Sequence, residues 1–116
     1  MALRVGIIGC GSISQAHVRG WNAIPNKARV VAVADVSERN AELVSGLVGG
    51  ARIVKDYRDL LASDEVDAVD VCLPHHLHKD AIVAAARAGK HVLCEKPLCL
   101  SFEEAREIKK ALDAAV

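Results

Sequence analysis

The sequence predicts an α/β fold, a doubly wound parallel sheet of about five strands with helices on both faces. Three observations carry that expectation. Short runs rich in valine or isoleucine alternate strictly with longer helical segments. Several of those runs are apolar on both faces, as strands buried inside a parallel sheet must be. Hydrophobic residues make up 52% of the 116 residues and aromatics only 3%, so the core is built from Ala, Val, Leu and Ile.

The elements follow in order. Residues 3–8 (LRVGII) read as the first strand, and the next strands span 30–34, 52–54, 68–73 and 91–94. A helix over 12–24 follows the first strand, with Pro25 just beyond it. Ser37 caps a helix that runs to residue 48, where Gly49 and Gly50 stop it. A short helical turn over 58–63 follows Tyr57, and an alanine-rich helix over 78–88 ends at Gly89. The last helix opens on Ser101 and Glu104, a capping box, and carries Ala105, Ile108 and Leu112 at helical spacing. The length fits one domain, and no repeat, linker or second domain interrupts the pattern.

Charge narrows the function. Fifteen basic residues balance fifteen acidic ones, with no long run of either sign, so nothing suggests a nucleic-acid or lipid surface. No apolar stretch approaches the roughly 20 residues that cross a bilayer. The N-terminal apolar run is too short for a signal peptide and continues directly into a motif, so the expected location is the cytoplasm. Cys10, Cys72, Cys94 and Cys99 include no CxxC pair and read as structural or incidental.

The strongest local signal is VGIIGCGSISQAH. Gly9 and Gly11 stand directly after a strand and before a helix, as in the dinucleotide fingerprint G-x-G-x-x-G/A. The first glycine makes the turn; the second lets the backbone approach a pyrophosphate at the helix N-terminus. Ser14 occupies the third position, where Gly or Ala is usual. The next strand ends in Asp35, near the 20-residue offset of an acid that binds the adenosine ribose hydroxyls. Its charge favours NAD over NADP, and Arg39 nearby weakens that preference. Asp35 could also merely end a strand and help Ser37 start a helix.

Two further stretches fall at strand ends. In LPHHLHKD, His76 and His78 form an H-x-H pair, but with Cys72 and Asp80 they do not converge on one point, and no metal is expected. In HVLCEKP, Glu95 and Lys96 close the fifth strand on the same edge as the glycine turn and Pro74. A lysine there can bond a substrate hydroxyl or the nicotinamide ribose, or act in proton transfer if burial lowers its pKa. Spacing alone leaves that reading level with a solvated loop pair.

GIIGCGSISQAH and the run from DAVDVCLPHHLHKD through AGKHVLCEKP to SFEEAREI together resemble the N-terminal domain of the glucose–fructose oxidoreductase / inositol dehydrogenase (Gfo/Idh/MocA) family. The resemblance covers nearly the whole chain. It implies a Rossmann-type sheet in the order 3-2-1-4-5, NAD or NADP as cofactor, and hydride transfer at a hydroxyl-bearing carbon of a sugar, cyclitol or related polyol. Gly9, Gly11, Ser12 and Ile13 match the pyrophosphate turn, and Asp35 matches the ribose-reading acid. Leu73, Pro74 and His78 match the loop along the cofactor. Glu95, Lys96 and Pro97 match the EKP motif, whose lysine contacts cofactor and substrate and assists proton transfer. His75 departs from the asparagine common after that proline.

The resemblance also implies a sixth strand and a large C-terminal substrate domain, which the 116 residues are expected to lack. The isolated chain is therefore expected to bind cofactor weakly, to be inactive on polyols unless a second domain is supplied, and to form a homodimer through its uncovered surface. Lys96–Pro97 is a candidate cis bond. Competing readings are a non-catalytic nucleotide-binding or interaction module of the same fold, and a binder of flavin or another adenosyl ligand, which gives no reason for EKP.

Overall fold

A computed structural model describes residues 2–115. It has five strands, β1 (Leu3–Ile8), β2 (Ala28–Ala34), β3 (Arg52–Val54), β4 (Ala68–Val71) and β5 (His91–Cys94). They form one sheet in the order β3-β2-β1-β4-β5, and every neighbouring pair is parallel. The helices are α1 (Ser12–Asn22), α2 (Glu38–Leu47), α3 (Tyr57–Leu61), α4 (His78–Arg87) and α5 (Phe102–Ala114). The alternating architecture is the expected one.

Period-two alternation sorts the core into two layers. Ile7 and Val33 pack with Val18 of α1 and with Ala41 and Val44 of α2. Ile8, Ala32, Ala34, Val69 and Val71 pack on the opposite face with Leu60 and Leu61 of α3 and Ala81 and Ala85 of α4. Asp70 lies between Val69 and Val71 and is fully buried, so this carboxylate enters the layer occupied by α1.

Element ends differ from the sequence reading for local reasons. β2 begins at Ala28 because Leu3 N donates to Lys27 O and brings the strand into register two residues early. β4 ends at Val71, although Cys72 N still donates to Ile8 O. A 3-10 turn, His75–Leu77, follows Pro74 and leads into α4. The Ser101 hydroxyl accepts from Glu104 N as a capping box requires, but the Glu104 carboxylate accepts from Leu100 N, one residue before the expected partner. The Lys96–Pro97 bond is cis.

At the opposite edge from the glycine turn, Arg4 and Asp67 tie β1 to the entry of β4 with a two-pronged ion pair at 2.8 and 3.1 Å. The arginine, through its hydrogen bonds, pulls the Asp67 carboxyl down to about 2.

Gly9 is fixed by a close approach. Its φ is +95°, and a Cβ there would stand 2.8 Å from the carbonyl carbon and oxygen of Cys72. Gly9→Ala is therefore expected to cost at least about 1–2 kcal/mol, which for a domain of this size lowers Tm by roughly 4–8 °C per kcal/mol. A circular-dichroism melt reads the effect; an unchanged Tm would mean that the turn can withdraw from β4.

Candidate functional site

The carboxyl ends of the strands open into a cavity of about 790 Å3. Backbone hydrogen bonds hold its rim level. Gly9 N donates to Ala34 O at 2.8 Å, Cys72 N to Ile8 O at 2.7 Å, Asp35 N to Val54 O at 3.2 Å and Glu95 N to Val71 O at 3.0 Å. Each extends a parallel ladder one step past its strand, so four connections leave the sheet at one height. This is the crevice where open α/β sheets bind ligands.

The glycine turn forms one wall. Gly11 is the N-cap of α1, with φ −76° and ψ −169°, and no side chain caps the helix. A Cβ at Gly11 would meet nothing within 4 Å, so space for a ligand lies over the first turn, where Ser14 N already donates to Gly11 O and the N–H groups of Ser12 and Ile13 can meet an anion. Ser14 is completely buried, and its hydroxyl donates back to Gly11 O. A serine can thus fill the third fingerprint position because its one polar group is satisfied within the turn.

Asp35 stands at the end of β2 and braces this turn. One carboxylate oxygen accepts from Cys10 N and the other from Ser37 N, both at 2.8 Å. Asp35 thus supports the next helix start and also lines the cavity. Burial and the Asp35 charge push the Cys10 thiol up to about 12, which leaves it an inert core group.

The far wall comes from β4 and β5. Leu73, Pro74, Glu95 and Lys96 line the cavity, as do Gly9, Gly11, Ile13 and Asp35. Ser12, His78 and Pro97 lie outside the lining. His78 is fully buried, with Nδ1 2.6 Å from Pro97 O and Nε2 2.8 Å from Leu73 O. Its ring ties the β4 loop to the EKP turn from behind and offers no free nitrogen to a ligand.

Sequence reading missed two groups. Lys55, Tyr57 and Asn40 line the cavity near Asp35; the sequence signal for the first two is their place after β3, one strand further along the same edge, and for Asn40 its place in the first turn of α2. The second group is a polar cluster under the far wall. His17 Nδ1 lies 2.8 and 2.9 Å from the two oxygens of Asp70, and its Nε2 lies 2.7 Å from Glu95 Oε2. Trp21 Nε1 donates to Asp70 at 2.8 Å, and the Cys72 thiol reaches the same carboxylate at 3.6 Å. The other Glu95 oxygen accepts from Lys96 N at 3.1 Å.

Burial pulls the His17 imidazole down, but the bonds to Glu95 and Asp70 outweigh it, and the net shift is upward. His17 in turn holds the Glu95 carboxyl below its ordinary value. His17, Asp70 and Cys72 each offer a ligand atom within 4.8 Å of the others, a candidate metal set that replaces the H-x-H pair considered from sequence. Those atoms are already hydrogen-bonded to one another. Among the described residues no buried side-chain nitrogen or oxygen lacks a partner, so the cluster is satisfied as it stands.

Known proteins resemble this chain in sequence and in fold. Residues 3–115 match the model of an oxidoreductase family with an NAD-binding Rossmann fold, GFO_IDH_MocA. Inositol 2-dehydrogenase of Paracoccus denitrificans is 42% identical over 116 residues, covering 99% of this chain and 34% of that protein. The chain thus spans about a third of the length of the curated relatives it matches. Among solved structures, the WlbA dehydrogenase of Bordetella pertussis, in complex with NADH and UDP-GlcNAcA, superposes with a TM-score of 0.92 at 31% identity, over 98% of this chain and 34% of that one. KijD10, a 3-ketoreductase from Actinomadura kijaniata in complex with NADP and TDP-benzene, superposes with a TM-score of 0.91 at 37% identity, over 99% and 35%. With its glycine turn, Asp35 and EKP turn gathered at one sheet edge, the chain belongs to the Gfo/Idh/MocA oxidoreductase family and has its NAD-binding Rossmann fold.

Proposed function

We propose that this chain is the cofactor half of a dehydrogenase that oxidises or reduces a CH–OH carbon of a sugar, cyclitol or related polyol. The observation that supports it most is that Gly11, Asp35 and Lys96, widely spaced in sequence, line one crevice. Gly9, Gly11, Ser12 and Ile13 receive the pyrophosphate, the last two through the first turn of α1. Asp35 accepts hydrogen bonds from the adenosine ribose. Leu73 and Pro74 lie along the dinucleotide, with His78 holding their loop to Pro97. Glu95 shapes the turn from which Lys96 reaches the nicotinamide ribose and the substrate hydroxyl.

A bound nicotinamide supplies the site that takes or gives hydride. Lys96 acts on the proton side of that exchange, holding or passing the proton of the substrate hydroxyl. The Asp35 charge repels a 2′-phosphate, which supports NAD as the preferred cofactor, while Lys55 at the same end of the cavity moderates the repulsion. Inositol 2-dehydrogenase among the relatives supports a polyol or sugar substrate.

Substrate contacts need a further domain, so these 116 residues alone bind dinucleotide weakly and turn over little. No helix among the described residues is long and apolar enough to cross a membrane, and the cytoplasm stays the proposed location. Leu93, Leu98, Leu100 and Phe102 are 51–86% exposed around the edge strand β5, which supports self-association as a homodimer.

Calorimetric titration with NAD, NADP and their reduced forms is expected to give binding with a preference for NAD. No binding to any of them would overturn the cofactor reading, and a preference for NADP would overturn the role given to Asp35. Gly11→Ala is expected to weaken binding at least about tenfold, because its methyl enters the space over the pyrophosphate turn, with Tm within about 2–4 °C of wild type. Steady-state polyol oxidation by the 116 residues alone would refute the need for a further domain. Light scattering is expected to report a dimer; a monomer at high concentration would sink that expectation.

A further inference from the structure

A buried carboxylate in the middle of a parallel strand is anomalous, and Asp70 is fully buried. Its oxygens face His17 Nδ1 and Trp21 Nε1 on α1. His17 then presents its other nitrogen to Glu95, whose second oxygen accepts from the backbone of Lys96. The result is a continuous path, Trp21 and Asp70 to His17, then Glu95, then Lys96. We propose that His17, anchored by Asp70 and Trp21, is a positioning residue that sets the Glu95–Lys96 turn against the crevice, and that loss of one of its protons loosens that turn.

The geometry requires donors on both ring nitrogens. Two ionised carboxylates accept only, so a neutral imidazole serves one of them and leaves the other facing a lone pair. Asp70 is the better anchored of the two, being buried and held by Trp21, whereas the Glu95 side chain is 24% exposed. The proton lost first is therefore the one on Nε2, and Glu95 is the group released. A freed Glu95 carboxylate then adds unneutralised negative charge to the wall beside Lys96, where it repels a dinucleotide phosphate.

The titratable groups around His17 are Asp70 on β4, Cys72 just past its end and Glu95 just past β5, and Cys94 couples to the same two carboxylates. Burial pushes both thiols up, Cys94 to about 11, so they stay neutral while His17 titrates. Among the described residues no lysine or arginine pairs with Asp70 or Glu95. The His17 value is raised above 6.5. Its contribution to holding the turn is thus complete below that pH and is lost as pH rises through the raised value.

The link from His17 to Lys96 stands on geometry alone; its effect on dinucleotide binding rests on the functional reading above. The test therefore has two arms. In the first, without ligand, NMR follows the His17 ring and the Lys96 amide across pH 5–10 (a range set by the ordinary histidine value, about 6.5). The two signals are expected to share one midpoint. Asp70→Asn is expected to lower that midpoint and His17→Gln to abolish it at Lys96. Where Asp70→Asn does not fold, Trp21→Phe replaces it and is expected to raise the midpoint by leaving more of the carboxylate's charge to His17. A Lys96 amide that ignores the His17 titration overturns the proposal.

In the second arm, NADH affinity of the wild type is expected to fall about three- to tenfold across the same midpoint, about the worth of one ordinary hydrogen bond. His17→Gln is expected to be flat with pH at the weaker value. A wild-type profile that is flat, or a variant that keeps the wild-type profile, also overturns the proposal. Absence of NADH binding at every pH counts against the functional reading, and the first arm still decides the inference. A rise in Tm with added Zn2+ that Asp70→Asn removes would make the cluster a metal site and overturn it as well.

Discussion

The close approach of Gly9 to the end of β4 is the constraint on which the rest of the site depends. A parallel sheet does not by itself make a pocket, because each strand must still send its connection outward at a common level. Here the ladders run one residue past the strands, Gly9 to Ala34 and Cys72 to Ile8, and the glycine turn rests on the Cys72 carbonyl with no room for a side chain. That contact brings the N-terminus of α1 beside the β4 and β5 loops. Asp35 then locks the same turn from the β2 side through Cys10 N. The crevice is thus shaped by backbone contacts and the Asp35 carboxylate before any ligand is considered.

Asp70 is the costly element of this design. Moving an unpaired carboxylate into a protein core costs several kcal/mol, far more than one strand position contributes. Its oxygens are instead met by the His17 ring, the Trp21 indole and, at longer range, the Cys72 thiol. These donors lie on α1 and β4, so the buried charge pins α1 to the sheet at the position where Gly11 opens the helix. Valine at this position would pack well, but it would leave His17 without its anchor and Glu95 with an unsupported partner.

Much of the fold could be read from sequence because its signals are local. LRVGII and VVAVA are apolar on both faces, Gly9 and Gly11 follow a strand directly, and Ser37 and Ser101 cap the helices they precede. The polar cluster could not be read this way. His17 and Asp70 are 53 positions apart, and His17 and Glu95 are 78 apart. Within AVDVCL the aspartate looks like an interruption, and on α1 the histidine looks like one polar residue among several. Only the β1–β4 pairing, which sets Ile7 opposite Asp70, brings strand and helix into contact. The surroundings of His78 are hidden from the sequence for a related reason. A histidine that starts a helix beside a crevice looks like a ligand group, yet the EKP turn folds over it and takes both ring nitrogens with carbonyl oxygens.

The two ends of the crevice are consequently supported by different chemistry. At the Asp35 end the carboxylate is held by two backbone N–H groups, which carry no titratable proton. At the Lys96 end the support passes through an imidazole that lies between two carboxylates. An adenosine group needs a fixed seat, because its binding energy is the same whichever way hydride moves. Under the proposed function, the Lys96 end instead faces a proton exchange that accompanies each hydride transfer, so protonation there bears on the chemistry. With an imidazole supporting that end and backbone donors holding the other, the proposed loss of the His17 proton shifts Lys96 and part of the dinucleotide affinity with it, while the Asp35 end keeps its backbone anchors. His17 is 17% exposed, enough to exchange its proton with solvent and buried enough to feel both neighbouring carboxylates.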